Sequence, residues 1–374
     1  MLTETSIRIP FLDLNAQYHS INEDIDRAIA AVIAESAFIK GKFVQQFEQD
    51  FGRLYGVKHV IGCGNGTDSL YIIMKMLGIG QGDEVITAAN SWISSSETIS
   101  QAGARPVFID VHPDYYSMDE QLLENKITKK TKAIIAVHLQ GQMCEIEKIE
   151  AICQKNKIHL IEDCAQAHFA EFKGIRAGLR GMAGSFSFYP GKNLGAYGDA
   201  GCIITRDDEL AEKCRMYANH GSIKKHDHKM EGINSRLDGL QAAILSAKLP
   251  HILDWTERRI SVDAWYQKHL AGISEIILPK LRPNSKHTYH LYVIRAKNRD
   301  GLKKYLEENL IETQIHYPAA LPYLPAYKWL AHTPEDFPVA LSLQEEILSL
   351  PIFPEMKEEM VQHMAAHIRA FYKQ

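Results

Sequence analysis

Long apolar runs are missing from the opening of this 374-residue chain: residues 1–30 begin with the polar MLTETSIRIP and carry charges throughout. A secretory signal or a membrane span needs an unbroken apolar stretch, so neither secretion nor membrane insertion is expected. Cysteine is sparse. The six residues Cys63, Cys144, Cys153, Cys164, Cys202 and Cys214 are widely spread and form neither a CxxC pair nor a small-protein disulfide framework. That usage makes the reducing cytoplasm the expected location. An excess of charge of one sign is absent too. With 42 Lys and Arg against 46 Asp and Glu, the formal net charge is -4, and nothing points to nucleic acid or an anionic membrane as a partner. Internal repeats and low-complexity tracts are also lacking.

What is present is an ordinary globular composition, 45% hydrophobic and 24% charged, sufficient for a large core and for division into one large and one small domain. An amphipathic helix is expected over residues 22–35. Short β-like runs then recur at 58–62, 84–88, 106–111, 132–138, 158–162, 184–188 and 202–205, with helical stretches after most of them. This alternation predicts an α/β fold with a mostly parallel sheet covered by helices. Near Pro250 the pattern changes, which divides the chain into residues 1–250 and a smaller α+β domain over 251–374. The smaller part reads as a long helix at 255–270, a strand at 289–294, a helix at 300–309 and a closing helix at 355–372. Pro318, Pro322 and Pro325 mark an extended, helix-free loop.

In an open α/β sheet the ligand lies beyond the carboxyl ends of the strands, so polar residues just after strands carry the chemistry. Three such places stand out. Gly62-Cys-Gly-Asn-Gly-Thr-Asp-Ser69 is a glycine-rich turn between a strand and a helix, where free N–H groups and the helix dipole can hold a phosphate. A ligand-free tight turn is an open alternative. A dinucleotide site fits less well, since the spacing is GxGxG and Asp83 and Glu84 precede the next strand rather than ending it. In the second place, an apolar strand runs into Glu162 and Asp163, leaving Asp163 at the sheet's carboxyl edge. A helix cap, a salt bridge or a protonated pyridine nitrogen are its possible partners. In the third, an aromatic strand ends in a glycine-rich loop carrying one lysine, Lys192. A surface loop lysine is the plain reading. Burial would instead lower its pKa and free an amine for Schiff-base chemistry.

Taken together, the last two segments resemble the DegT/DnrJ/EryC1/StrS family of sugar aminotransferases, which are fold-type I pyridoxal-phosphate enzymes. The resemblance runs from Pro10-Phe-Leu-Asp-Leu14 through Gly66-Thr-Asp-Ser-Leu70, Glu162-Asp-Cys-Ala-Gln166 and Ser185-Phe-Ser-Phe-Tyr-Pro-Gly-Lys-Asn193 to Asn234-Ser-Arg-Leu-Asp238 and Leu240-Gln-Ala-Ala243. It implies that Lys192 is the lysine joined to the cofactor, that Asp163 contacts the pyridine nitrogen and Gln166 the ring hydroxyl. A carboxylate there keeps the ring nitrogen protonated and the ring electron-withdrawing. Trp92 matches an aromatic residue that stacks on the cofactor face. Gly66, Thr67 and Ser187 match positions that hold its phosphate. Asn234 matches an asparagine that reaches the phosphate of the cofactor in the neighbouring subunit, which implies a homodimer with shared active sites. The segment Lys224-Lys-His-Asp-His-Lys229 contains a His-x-His pair but no further nearby ligands, and it reads as a solvated loop rather than a metal site.

The resemblance further implies a two-stage cycle: an amino donor, expected to be glutamate, converts pyridoxal phosphate to pyridoxamine phosphate, which then aminates a keto sugar carried on a nucleotide. Family dehydratases replace the lysine with histidine, so Lys192 directs the reading toward amino transfer; a regulatory, non-catalytic member is the other class. The sequence Tyr-Pro-Gly-Lys-Asn-Leu-Gly-Ala-Tyr-Gly-Asp resembles enzymes acting at C3 more than the pattern of those acting at C4. A 3-keto-6-deoxyhexose on dTDP is therefore the expected substrate. Such C3 enzymes often read Tyr-Pro-x-Pro-Leu-His in the small domain, whereas this chain reads Tyr317-Pro-Ala-Ala-Leu-Pro322. Tyr189 and His316 are candidate sugar-pocket residues, with packing between domains the alternative for each. Arg236 is a candidate for a diphosphate or a donor carboxylate.

Overall fold

The computed structural model describes residues 7–224 and 226–373. At its centre lies a seven-stranded sheet in the order His59–Cys63, Gly201–Thr205, Ala183–Ser187, His159–Asp163, Thr131–Val137, Glu84–Ala88, Arg105–Ile109. Gly201–Thr205 is antiparallel to both neighbours, and the other pairings are parallel, so six strands run the same way. Along Thr131–Val137, Ile134 and Ala136 enter one apolar cluster while Ala133, Ile135 and Val137 enter another. A strand sends successive side chains to opposite faces, so a sheet buried on both sides must be apolar at every position. The expected α/β fold with a mostly parallel sheet is what forms.

Helix Lys42–Tyr55 buries Val44, Phe47, Phe51 and Tyr55 on one side and ends at Gly56, whose φ of 78° closes the last turn in the left-handed region. Phe51 meets Phe186 and Phe188 edge-on at 5.6 and 5.7 Å. That contact fixes the strand leading into the lysine loop.

A second, three-stranded antiparallel sheet joins Ile276–Ile277, Tyr292–Ala296 and Ile347–Leu350. Helices Ile252–Leu270, Arg299–Glu308 and Glu358–Tyr372 accompany it, with Tyr266, Tyr292, Leu348 and Ile368 in a separate core. The chain crosses between the two cores more than once. Ile9 packs in the second core and pairs with Ile311, whereas Leu321, Tyr327, Phe337 and Ile347 pack in the first.

Three local expectations change. The strand expected from residue 289 begins at Tyr292, because Tyr289 has a φ of 44° and is not extended. Ile347–Leu350 forms a strand not expected from its sequence, a four-residue segment with three apolar residues and a buried Ser349. The proline segment is not helix-free: Leu321–Tyr323 and Pro325–Leu330 form 3-10 turns. Proline fits the first turn of a helix, where its missing N–H has no intrahelical partner anyway.

Candidate active site

The parallel strands deliver their carboxyl ends to one edge of the sheet. Cys63 leads there to Gly66 and Thr67, Ala88 to Trp92 and Ser94, Val137 to His138 and Gln140, Asp163 to Gln166, and Ser187 to Lys192. Residues far apart in sequence therefore converge.

Lys192 lies half-buried in an irregular loop, where its backbone N–H donates to the Tyr189 carbonyl at 2.8 Å. Among the described residues nothing hydrogen-bonds or ion-pairs with its Nζ. Burial lowers its pKa to about 8, with the Asp163 charge opposing that shift. Asp163 is buried; desolvation holds its carboxyl above the ordinary value, opposed by the Ala165 N–H and the Lys192 amine. The Ala165 bond is 3.0 Å and engages Oδ1.

The glycine-rich turn becomes the start of helix Gly66–Met76, capped by Asn65, whose Oδ1 accepts the Asp68 N–H at 2.8 Å. A Cβ on Gly66 would lie 2.7 Å from the Ser187 Cβ, so the absence of a side chain lets the helix start touch the lysine strand. Ser69 and Ser185 hydroxyls are hydrogen-bonded to one another beneath this contact. The Thr67 and Ser94 hydroxyls are 2.7 Å apart. Gly66, Thr67 and Ser187 are thus brought together at a helix N-terminus, where the dipole favours an anion.

Gln166 is buried and fixed at both ends of its amide: Oε1 accepts the Gln140 N–H at 2.6 Å, and Nε2 donates to the Tyr317 hydroxyl at 2.9 Å. The Tyr317 ring lies 5.7 Å from that of Trp92, which is itself 59% exposed and so offers a free aromatic face. Tyr189 is 60% exposed beside the lysine. His316 stacks on Phe11 at 5.7 Å and its Nδ1 lies 2.8 Å from the Ser349 hydroxyl. Its pKa is lowered to about 4 by burial and then by the Lys192 charge, so it is neutral near pH 7 and within electrostatic reach of the amine. Asn234 is exposed, and Arg236 lines a separate cleft with Lys40, Glu48 and Arg215. The structure does not draw Asn234 or Arg236 into this chain's own Lys192 site. Between them Ser235 accepts the Gly64 N–H at 2.9 Å and donates to Asp68 at 2.7 Å. In the histidine-bearing loop Lys225 lies outside the described residues; the His228 Nδ1 bonds the His220 carbonyl at 2.7 Å.

Two contributors escaped the sequence reading. Tyr317 opens the same proline segment as its neighbour His316, and only its bond to Gln166 and its contact with Trp92 mark it as part of the site. In the sequence Glu162 is visible only as one of an acidic pair, yet its fully buried carboxylate accepts the N–H groups of Gly178, Arg180 and Gly181 at 2.8, 2.8 and 2.6 Å. His138 completes the set at 2.8 Å. The Cys144 N–H donates to the His138 Nδ1, leaving Nε2–H for Glu162. His138, Glu162 and Cys164 cluster closely enough to suggest a metal. The lone pairs are already taken by these N–H donors, so the cluster is a hydrogen-bonded knot behind Asp163.

A model of the DegT/DnrJ/EryC1/StrS aminotransferase family matches residues 19–369. A Geobacillus stearothermophilus protein named a pleiotropic regulatory protein is 44% identical over 369 residues, which cover 98% of this chain and 99% of the relative. The dTDP-3-amino-3,6-dideoxy-alpha-D-galactopyranose transaminase of Aneurinibacillus thermoaerophilus is 42% identical over 366 residues, 97% and 99% of the two chains. The crystal structure of S. venezuelae DesV in complex with a ketimine intermediate superposes with a TM-score of 0.96 at 38% identity, covering 98% of this chain and 99% of that one. By this match and these identities, the chain belongs to the DegT/DnrJ/EryC1/StrS aminotransferase family.

Proposed function

We propose that this chain moves an amino group from glutamate to the C3 keto carbon of a dTDP-linked 6-deoxyhexose, as a cytoplasmic homodimer. As a family member it is a pyridoxal-phosphate-dependent aminotransferase, and relatives at this identity act on nucleotide-linked sugars. The observation that carries the reading is the unpartnered Lys192 amine with a pKa of about 8 in electrostatic contact with the buried Asp163 carboxylate.

The residues fit the cofactor. Lys192 offers an amine without a hydrogen-bond or ion-pair partner among the described residues, Asp163 a buried acid, Trp92 an open ring face, and Gly66, Thr67 and Ser187 a cradle whose close approach excludes a Cβ. Bound pyridoxal phosphate supplies an electron sink for the carbanion left when a substrate C–H proton is removed. Asp163 sustains that sink by holding the ring nitrogen's proton. Gln166, fixed by Gln140 and Tyr317, is assigned to the ring hydroxyl, which its second amide hydrogen would hold. Lys192 would carry the proton from the donor carbon to the cofactor carbon, and in the second stage from the cofactor carbon to the sugar carbon, acting as general base and then general acid. A near-neutral pKa suits both directions. The neutral His316 and the exposed Tyr189 are assigned to the sugar pocket, and Arg236 to a diphosphate or donor carboxylate. Asn234, exposed on its own chain, is assigned to the cofactor phosphate of the partner subunit.

The preference for C3 rests on the sequence of the lysine loop and on the Aneurinibacillus relative's named product. Pro322, standing where C3 enzymes often carry histidine, is buried in the turn Leu321–Tyr323. The first test is an absorbance spectrum of the purified protein, where a visible band removed by borohydride is expected; a colourless protein indifferent to added cofactor would sink the proposal. Lys192→Ala should abolish the band and lower turnover by about 10²–10⁴-fold. A panel of 3-keto and 4-keto sugars on dTDP and UDP, scored by keto-acid release from glutamate, then separates C3 from C4 chemistry. The name of the Geobacillus relative favours a second reading, a regulatory protein. That reading predicts sugar binding without turnover in the same panel.

A further inference from the structure

Among the described residues the loop that carries Lys192 pairs with no strand; it is held by its own backbone bonds from Ala196 N–H to the Phe188 carbonyl and Phe188 N–H to the Ala200 carbonyl, by Asn193 donating to the Thr288 carbonyl at 2.8 Å, and by side chains that reach it from elsewhere. Helix Gly239–Lys248 supplies two. Gln241 Oε1 accepts the Tyr197 N–H at 2.8 Å, and its Nε2 donates to the Tyr197 carbonyl at 3.5 Å. Seven residues on, two turns along the same helical face, Lys248 is completely buried and its Nζ donates to the Gly195 carbonyl at 2.8 Å. The same ammonium lies 4.3 Å from the centre of the Tyr197 ring. Gly195 has no room for any side chain, since a Cβ would sit 2.2 Å from the Pro190 carbonyl oxygen. The loop folds tightly back on itself at the point Lys248 grips.

Burying a lysine for one carbonyl and one ring is costly, and this one is pushed down to about 8 by desolvation, with the Glu355 charge opposing. A methionine would fill the same volume without that cost. We propose that Lys248, with Gln241, is a positioning residue for the reaction: it fixes the turn at Gly195–Tyr197 and through it the place of the Lys192 amine. The proposal rests on the assignment of Lys192 as the proton-carrying lysine. A displacement of the order of 1 Å at such a group costs about 10²-fold in rate.

The test uses the cofactor-loaded enzyme with Lys248→Met, an apolar replacement of matched length, and Gln241→Ala, which removes the second grip from a less buried position. Borohydride reduction followed by peptide mass spectrometry locates the cofactor, and kcat and KM are measured for both substrates. The expected result is full labelling of Lys192 with kcat lowered about ten- to a hundred-fold and KM for the keto sugar within about twofold. A role in stability alone would lower the melting temperature and leave kcat per labelled site unchanged, which overturns the proposal. If Lys248→Met does not fold, Gln241→Ala decides by the same split. Failure of the Lys192 assignment shows differently, as an unlabelled Lys192 in the parent enzyme.

Discussion

Gln166 and Tyr317, 151 positions apart in sequence, are joined by a 2.9 Å hydrogen bond from the glutamine amide to the tyrosine hydroxyl. The bond ties the loop after the acidic strand to the proline segment, and it orients the amide assigned to the cofactor ring. Tyr317→Phe removes the hydroxyl and keeps the ring against Trp92. A lost hydrogen bond of this kind costs about 1 kcal/mol. Cofactor affinity, measured by fluorescence titration of the apoenzyme, should weaken about fivefold.

Capture of the cofactor requires the neutral Lys192 amine. Burial lowers its pKa from the ordinary 10.5 to about 8, so the reactive form grows as pH rises toward that value and is nearly complete above it. The rate at which apoenzyme takes up pyridoxal phosphate, followed by stopped-flow absorbance, should rise from pH 6 and level off with a midpoint near 8. A midpoint above 10 would show an ordinary solvated lysine.

Gly66→Ala tests the phosphate cradle. Its Cβ would be 2.7 Å from the Ser187 Cβ and 3.2 Å from the Ser187 backbone, so the two walls must separate. Overpacking costs about 1–3 kcal/mol. Cofactor affinity, measured by equilibrium dialysis, should weaken by about five- to a hundred-fold, and unchanged or tighter binding would exclude the cradle.

Glu162→Gln should be strongly destabilising. Each carboxylate oxygen accepts two N–H donors, so an amide NH₂ in either orientation points at two donors. A loss of about 3 kcal/mol or more is expected in urea unfolding, since several buried donors lose their partner. Burial pushes this carboxyl up, but the His138 hydrogen bond and the Gly181 and Gly178 N–H groups outweigh it and hold the pKa below the ordinary 4.5. Its contribution is therefore complete above pH 4.5 and is lost as pH falls through the depressed value. The parent should accordingly lose more stability between neutral pH and pH 3 than a Glu162→Gln variant that folds.

The sequence determined the alternation of strand and helix, because a strand buried on both faces must be apolar throughout and so reads as a compact run such as residues 133–137 within the strand expected at 132–138. It also marked Asp163 and Lys192, since an acid at a strand end and a lone lysine among glycines are visible in one dimension, and it matched the motifs of the family. What only the tertiary structure decided lies in contacts between distant segments. The amide of Gln166 meets Tyr317, Glu162 gathers N–H groups from the 178–181 loop and a ring from His138, and Lys248 reaches Gly195. Hydrogen bonds of this kind depend on side-chain and carbonyl directions at loops, which carry no periodicity for a sequence to display. The lysine at 192 announces itself by its neighbours in the chain; the groups that set its place and its pKa are neighbours only in space.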